Sequence, residues 1–264
     1  MITIAVLAQK GGVGKTTTAE ALGAGLMRYH SARVLFVDLD AQRNLSRTLE
    51  ADYSGERPDS LDLITGRAKA KDAIQKTIHG DIIPASHALV GADREKALND
   101  VGREYRLREA LRPISGSYDY CVIDTPPALG ILIINALTAA DKAIIPAQAD
   151  DYSLDALEDL SGTIQAVKLY TNKSLQIDGI LITRYNGRPN ISRYYEEQLE
   201  EAAHSLGSRL YQVRIRECSA LKEAQGLRED IFTYSPRSNA GRDYKQFIDE
   251  LTGTQAEEGT GNNG

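Results

Sequence analysis

Short apolar runs recur along the chain, and between them apolar residues return at helical spacing. The runs Ile2–Ala8, Val34–Asp38, Asp81–Pro84, Tyr120–Asp124, Ala143–Pro146, Ile177–Thr183 and Leu210–Val213 predict buried strands. The stretches Thr16–Tyr29, Arg103–Arg112, Ile131–Ala140, Leu154–Tyr170, Ile191–His204 and Tyr244–Leu251 predict helices, several with Ser, Thr or Asn near the start. Alternation of this kind predicts an α/β fold. The sheet is expected to be doubly wound and mostly parallel, with helices on both faces and a ligand at the carboxyl ends of the strands.

Composition narrows this picture. With 264 residues, 42% of them hydrophobic, the chain can bury the core of one α/β domain, expected over residues 1–251. Residues 252–264 are glycine-rich, carry Glu257 and Glu258, and lack basic or large apolar side chains, which predicts a disordered tail. Such a tail could not lie on an anionic bilayer, and no apolar segment approaches the length of a membrane span, so no membrane role is expected. Cys121 and Cys218 are too few for a disulfide framework and fit a reducing cytoplasm. The net charge is −6, yet the window from Arg184 to Arg242 holds ten Arg or Lys against eight Asp or Glu. That asymmetry is mild and decides nothing about nucleic acid by itself.

The candidate chemistry starts directly after the first strand, in Gln9-Lys10-Gly11-Gly12-Val13-Gly14-Lys15-Thr16-Thr17. A buried strand, a glycine-rich turn and a helix start aim backbone N–H groups at one spot, which suits a polyphosphate. Lys15 would add charge there and Thr16 an oxygen for Mg²⁺. The lost charge of a Lys15 substitution is expected to be exposed in the empty protein. The second strand ends in Asp38-Leu39-Asp40 and the fourth in Asp124-Thr125-Pro126-Pro127. Carboxylates at those strand ends can hold Mg²⁺ through water or orient an attacking water.

Lys10-Gly11-Gly12-Val13-Gly14-Lys15-Thr16-Thr17 resembles the deviant Walker A box of the ParA/MinD superfamily of P-loop ATPases, in which the early lysine reaches across a dimer to the partner's nucleotide. By that resemblance Lys10, Lys15 and Asp40 are the catalytic candidates, with Asp40 positioning the hydrolytic water. Thr16, Asp38 and Asp124 become the Mg²⁺ candidates, and ATP and Mg²⁺ the implied cofactors. Residues 38–44 match the family's first switch except at Ala41 and Arg43, where the family has Pro and Gly; Arg43 either stiffens the switch or presents charge to a partner. Thr183, Arg184 and Val213–Arg216 lie where relatives contact the base, so Arg184 and Arg214 join the nucleotide-binding candidates. The guanine-specifying Asn-Lys-x-Asp motif is absent.

The resemblance runs from Ile2 to about Leu251, through Asn135–Asp141, Ile145–Gln148, Leu154–Leu157, Leu221–Ala224 and Tyr234–Ser238, and is nearest to the short, Soj-like partition ATPases. It implies a cytoplasmic protein that dimerises on ATP, binds DNA without sequence preference and so becomes nucleoid-associated. It would move plasmid, chromosomal or mobile-element cargo with a ParB-like centromere-binding adaptor. Arg188 falls where the family carries a DNA-binding arginine; the second such position is Ala220, which leaves Arg214, Arg216 and Lys222 as substitutes. One alternative keeps the switch but couples it to a protein cargo without DNA. An iron–sulfur reductase is disfavoured because Cys121 and Cys218 cannot converge at one exposed point.

Overall fold

The computed structural model describes residues 1–187 and 189–254, with residues 189–192 as backbone only. Its strands are β1 (Ile2–Val6), β2 (Val34–Asp38), β3 (Gln75–Thr77), β4 (Gly80–Ile83), β5 (Tyr120–Asp124), β6 (Lys142–Ala147), β7 (Gln176–Tyr185) and β8 (Leu210–Arg216). They form one sheet in the order β3-β4-β2-β5-β1-β6-β7-β8. All neighbours run parallel except β3 and β4, which form an antiparallel hairpin at one edge.

The helices are α1 (Lys15–His30), α2 (Asn44–Thr48), α3 (Ser60–Thr65), α4 (Ala70–Ala73), α5 (Arg106–Leu111), α6 (Ile131–Ala139), α7 (Asp151–Tyr170), α8 (Pro189–Ser205), α9 (Ser219–Leu227), α10 (Ile231–Tyr234) and α11 (Asn239–Thr252). Successive strand residues point to opposite faces, and the core divides accordingly. Ile4, Val6, Phe36 and Val122 pack with Leu22, Leu26, Phe232 and Phe247 on one face. Ala5, Leu7, Val37 and Ile123 pack with Leu107, Ile133, Leu160 and Leu199 on the other. Helix α1 approaches β2 closely because Gly23 has no side chain; a Cβ there would stand 2.2 Å from the Phe36 ring.

The doubly wound sheet and each predicted strand and helix are present, with ends shifted by a few residues. The unforeseen β3 reads Gln-Lys-Thr, which carries no apolar alternation, and its edge position needs none. The unforeseen helices α2, α3, α4 and α10 span too few turns for a period to register. In α9 only Ala220 and Ala224 are buried, too small a stripe to stand out. Helix α11 reaches Thr252 and is closed by Gly253 in a left-handed cap, one residue beyond the predicted boundary. Most of the expected tail, residues 255–264, lies outside the described residues. No helix among the described residues is long and apolar enough to cross a membrane.

One buried acid stands within this packing. Burial, and then the charge of Asp230, push the Glu20 carboxyl on α1 up to about 8, against about 4.3 in an unfolded chain. A carboxyl raised by folding takes up a proton in the native state. Its contribution to stability is therefore complete below about pH 4 and is lost as pH climbs through 8. Glu20→Gln cannot ionise, so it should melt at a higher temperature than the parent above pH 8, with the advantage shrinking on acidification. Thermal melts across that range check this; parallel pH profiles for both proteins would contradict it.

Candidate functional site

Between β1 and α1 the backbone turns through Gly12 and Gly14, whose φ angles of 78° and 86° only glycine adopts without strain. Two side chains of β7 hold this loop from behind. Thr183 Oγ1 donates to the carbonyls of Val13 (2.6 Å) and Ala147 (3.2 Å), and Arg184 Nη1 donates to the Gly12 carbonyl at 3.0 Å. Helix α1 then begins with no side-chain cap and no acidic residue in its first turn. Its unpaired N–H groups and dipole thus form an anion site. They open on a cavity of about 640 Å³ lined also by Asp40, Asn44, Arg47, Arg216, Lys222 and Tyr244. That size suits a nucleotide.

Three carboxylates gather at the loop's other side. Asp38 and Asp124 are register partners at the ends of β2 and β5, and both are fully buried. Lys15 lies among them, only 8% exposed. Its ammonium donates to Asp124 Oδ1 at 3.0 Å, to Asp40 Oδ2 at 3.5 Å and to the Thr125 carbonyl. Burial alone would lower the Lys15 pKa, but Asp124 and then Asp40 outweigh it and raise it. Lys15 is therefore held charged. Asp38 accepts from Ser46 N (2.9 Å), Ser46 Oγ (2.7 Å) and Asp40 N (3.0 Å); even so, burial and the Asp124 charge push it up to about 7.

One ammonium among three carboxylates leaves negative charge for a further cation. Thr16 Oγ1 donates to Asp124 Oδ2 at 2.7 Å, which sets one hydroxyl and one carboxylate side by side at the mouth of the phosphate loop. No group of three His, Cys, Asp or Glu among the described residues could hold a metal alone. This donor set fits Mg²⁺, which takes few protein ligands and keeps waters and phosphate oxygens.

Lys10 stands at the cavity's rim, but its ammonium is engaged elsewhere. It bonds Asp150 Oδ2 at 2.5 Å and Gln148 Oε1 at 3.2 Å, and lies 5.5 Å from the centre of the Tyr152 ring. Asp150 caps α7 by accepting from Ser153 N. Burial would raise the Asp150 carboxyl; its hydrogen bonds, first from Lys10, outweigh that and hold it below the usual range. Lys10 is thus latched to α7.

Known proteins share this arrangement along the chain. A family model described as an AAA domain matches residues 1–177. The sporulation initiation inhibitor protein Soj of Bacillus subtilis is 37% identical over 94% of this chain and 97% of its own. The chromosome partitioning protein ParA of Myxococcus xanthus is also 37% identical, over 94% and 87%. The chain belongs to the ParA/Soj family of partition ATPases. Among solved structures, cobyrinic acid a,c-diamide synthase of Mycobacterium smegmatis with bound ATP analogue and magnesium is 31% identical. It has a TM-score of 0.80 and matches 96% of this chain and 94% of its own.

Against the ParA/Soj pattern, the structure gathers Gly11, Gly12, Gly14, Lys15, Thr16, Thr17, Asp40 and Arg184 around one cavity, while Val13 is buried behind it. Asp38, whose two oxygens accept from Ser46 and the Asp40 amide, shapes the switch. Three expectations need correction. Lys15 is buried and ion-paired, so its charge is not exposed in the empty protein. Arg214 does not line the cavity but is paired with Glu196 at 2.5 Å, which removes it as a base contact and ties up its charge toward DNA. Arg216 is paired with Asp243, also at 2.5 Å, and with Lys222 lines the nucleotide cavity.

Arg188 lies outside the described residues. Ala220, where the family pattern has an arginine, is buried in the core beneath α9. At Arg43 the φ of 60° supplies the physical reason for the family's glycine at that position. Sequence reasoning missed the Asp150 latch and the two braces behind the phosphate loop. Asp150-Asp151 followed by Ser153 did carry a helix-start signal, but nothing local tied it to Lys10.

Because Lys15 balances buried carboxylates, Lys15→Ala should lower unfolding stability by about 3–5 kcal/mol. Adding Asp124→Asn should recover part of that loss, since it removes an uncompensated charge. Denaturant titration of the single and double variants checks this, and strictly additive losses would contradict it.

Proposed function

We propose that this chain is an ATP-hydrolysing molecular switch that dimerises on ATP and, as a dimer, holds DNA without sequence preference to move plasmid, chromosomal or mobile-element cargo. The nucleotide's phosphates lie on the loop from Gly11 to Thr17, with Thr16 and, through water, Asp124 facing Mg²⁺. When bound, Mg²⁺ supplies charge neutralisation at the phosphates. Asp40, which accepts from Gln42 N at 2.9 Å and more loosely from Lys15 at 3.5 Å, orients the attacking water. Hydrolysis needs little beyond such positioning and charge balance.

The observation that carries the reading is Lys10. Its side chain is 26% exposed at the cavity rim and its ammonium is latched by a single carboxylate, so it can leave Asp150 for a more strongly charged acceptor. The polyphosphate of a partner subunit is such an acceptor. Buried between two subunits, an ammonium needs phosphate charge to offset its desolvation, so only a nucleotide-filled interface is stable. A ParB-like adaptor then stimulates turnover and returns the chain to the monomer, so that it is nucleoid-associated only as the ATP-bound dimer.

A second reading keeps the switch but couples it to a protein cargo without DNA. The pairing of Arg214 and Arg216 favours it, because it reduces the free positive charge available for phosphates. Binding to unrelated duplexes should therefore be measured with no nucleotide, ADP, ATP and a non-hydrolysable analogue. The first reading expects binding only with ATP or the analogue, with an affinity that falls linearly on a log–log salt plot. Arg188→Ala should flatten that plot by about one unit. No binding in any nucleotide state at low salt would favour the protein-cargo reading.

A further inference from the structure

A second cavity, of about 490 Å³, opens behind the first switch and is lined by Arg43, Arg47, Glu50, Asp52, Tyr53 and Arg228. Arg47 lines the nucleotide cavity as well, so the two spaces share one wall. The cations here are poorly neutralised. Arg43 and Arg47 form no ion pair among the described residues, and Arg228 has only a 3.2 Å contact with Glu50, both side chains being exposed. An exposed pair of this kind is weak and readily exchanged. The Arg43 guanidinium is held 4.9 Å from the centre of the Tyr53 ring, and its buried Nε–H has no acceptor. A buried donor without a partner is uncommon and marks a missing acceptor.

The backbone is distinctive at the same place. Five non-glycine residues among those described adopt positive φ; Arg43, Glu50 and Arg228 line this cavity, and a fourth, Arg184, braces the phosphate loop. At Arg43 this conformation begins α2, and at Glu50 and Arg228 it follows the ends of α2 and α9, so the cavity is framed by helix termini. Planar guanidiniums match phosphate oxygens in pairs, and three of them line this one cavity. We infer that this cavity is a second oxyanion site, taking a small phosphate-bearing molecule. Through Arg47 its occupancy is linked to that of the nucleotide cavity, each changing the other's affinity by the same factor.

The chain contains no tryptophan, so Tyr53→Trp places a single fluorescent reporter in this cavity. Titration with inorganic pyrophosphate should give a saturable emission change. Arg228→Gln on that background should weaken the response about tenfold, by loss of charge-assisted hydrogen bonds. Glu50→Gln should tighten it by freeing Arg228. Neither residue lines the nucleotide cavity, so these opposite shifts report this site alone. Calorimetry of the protein with its native Tyr53 provides the second readout: Arg228→Gln should lose one pyrophosphate site. Absence of a saturable response in both assays would overturn the inference, as would equal affinities in the two variants. A response to duplex DNA but not to pyrophosphate would also overturn it, reassigning the patch to nucleic acid.

Discussion

The site depends on one charge balance, that of Lys15 against Asp38, Asp40 and Asp124. Parallel strands bring Asp38 and Asp124 to adjacent ends, where the sheet excludes water from both. Carboxylates in such a place resist ionisation, and a cation beside them lowers that cost. Lys15 supplies that cation from the first turn of α1, and the requirement fixes where the helix begins relative to the sheet. The same cluster leaves negative charge at the loop mouth, so the site is prepared for a metal before any nucleotide arrives. Structure and chemistry share these residues, and a substitution that disables one disturbs the other.

Much of this was legible in the sequence because its signals are local. The phosphate loop is one contiguous stretch between a strand and a helix, and Asp40 and Asp124 follow apolar runs that had to be strands. The alternation of those runs with helical spacing sufficed for a doubly wound sheet. What escaped notice depends on residues far apart in the chain. Lys10 meets Asp150, and Arg184 meets Gly12, only because β6 folds beside β1 and β7 beside β6. The pairing of Arg214 with Glu196 and of Arg216 with Asp243 was hidden for the same reason. A basic side chain read from sequence is a charge without a partner; the fold decides whether it stays one. Asp38 adds a contact of the same kind, since Ser46 and the Asp40 amide donate to both its oxygens and tie the first switch to the strand end.

Lys10 connects this chemistry to assembly. In this structure its charge is satisfied by Asp150, Gln148 and the Tyr152 face, so a salt bridge ties the loop to α7 at the cavity's rim. Two unit charges near a protein surface attract with a few kcal/mol at most, and an exposed pair retains less. A polyphosphate can therefore compete for the lysine. In the proposed switch the latch sets a threshold: dimerisation would require an acceptor stronger than one carboxylate, which distinguishes a nucleotide-filled cavity from an empty one.

That threshold is open to direct measurement by light scattering of the ATP-dependent dimer in matched, folded proteins. Asp150→Asn releases Lys10 and should bring dimerisation to a lower ATP concentration. Lys10→Ala should bind ATP and remain a monomer at every concentration. An unchanged ATP-dependent dimer in Lys10→Ala would contradict the account, because the lysine would then take no part in joining two subunits.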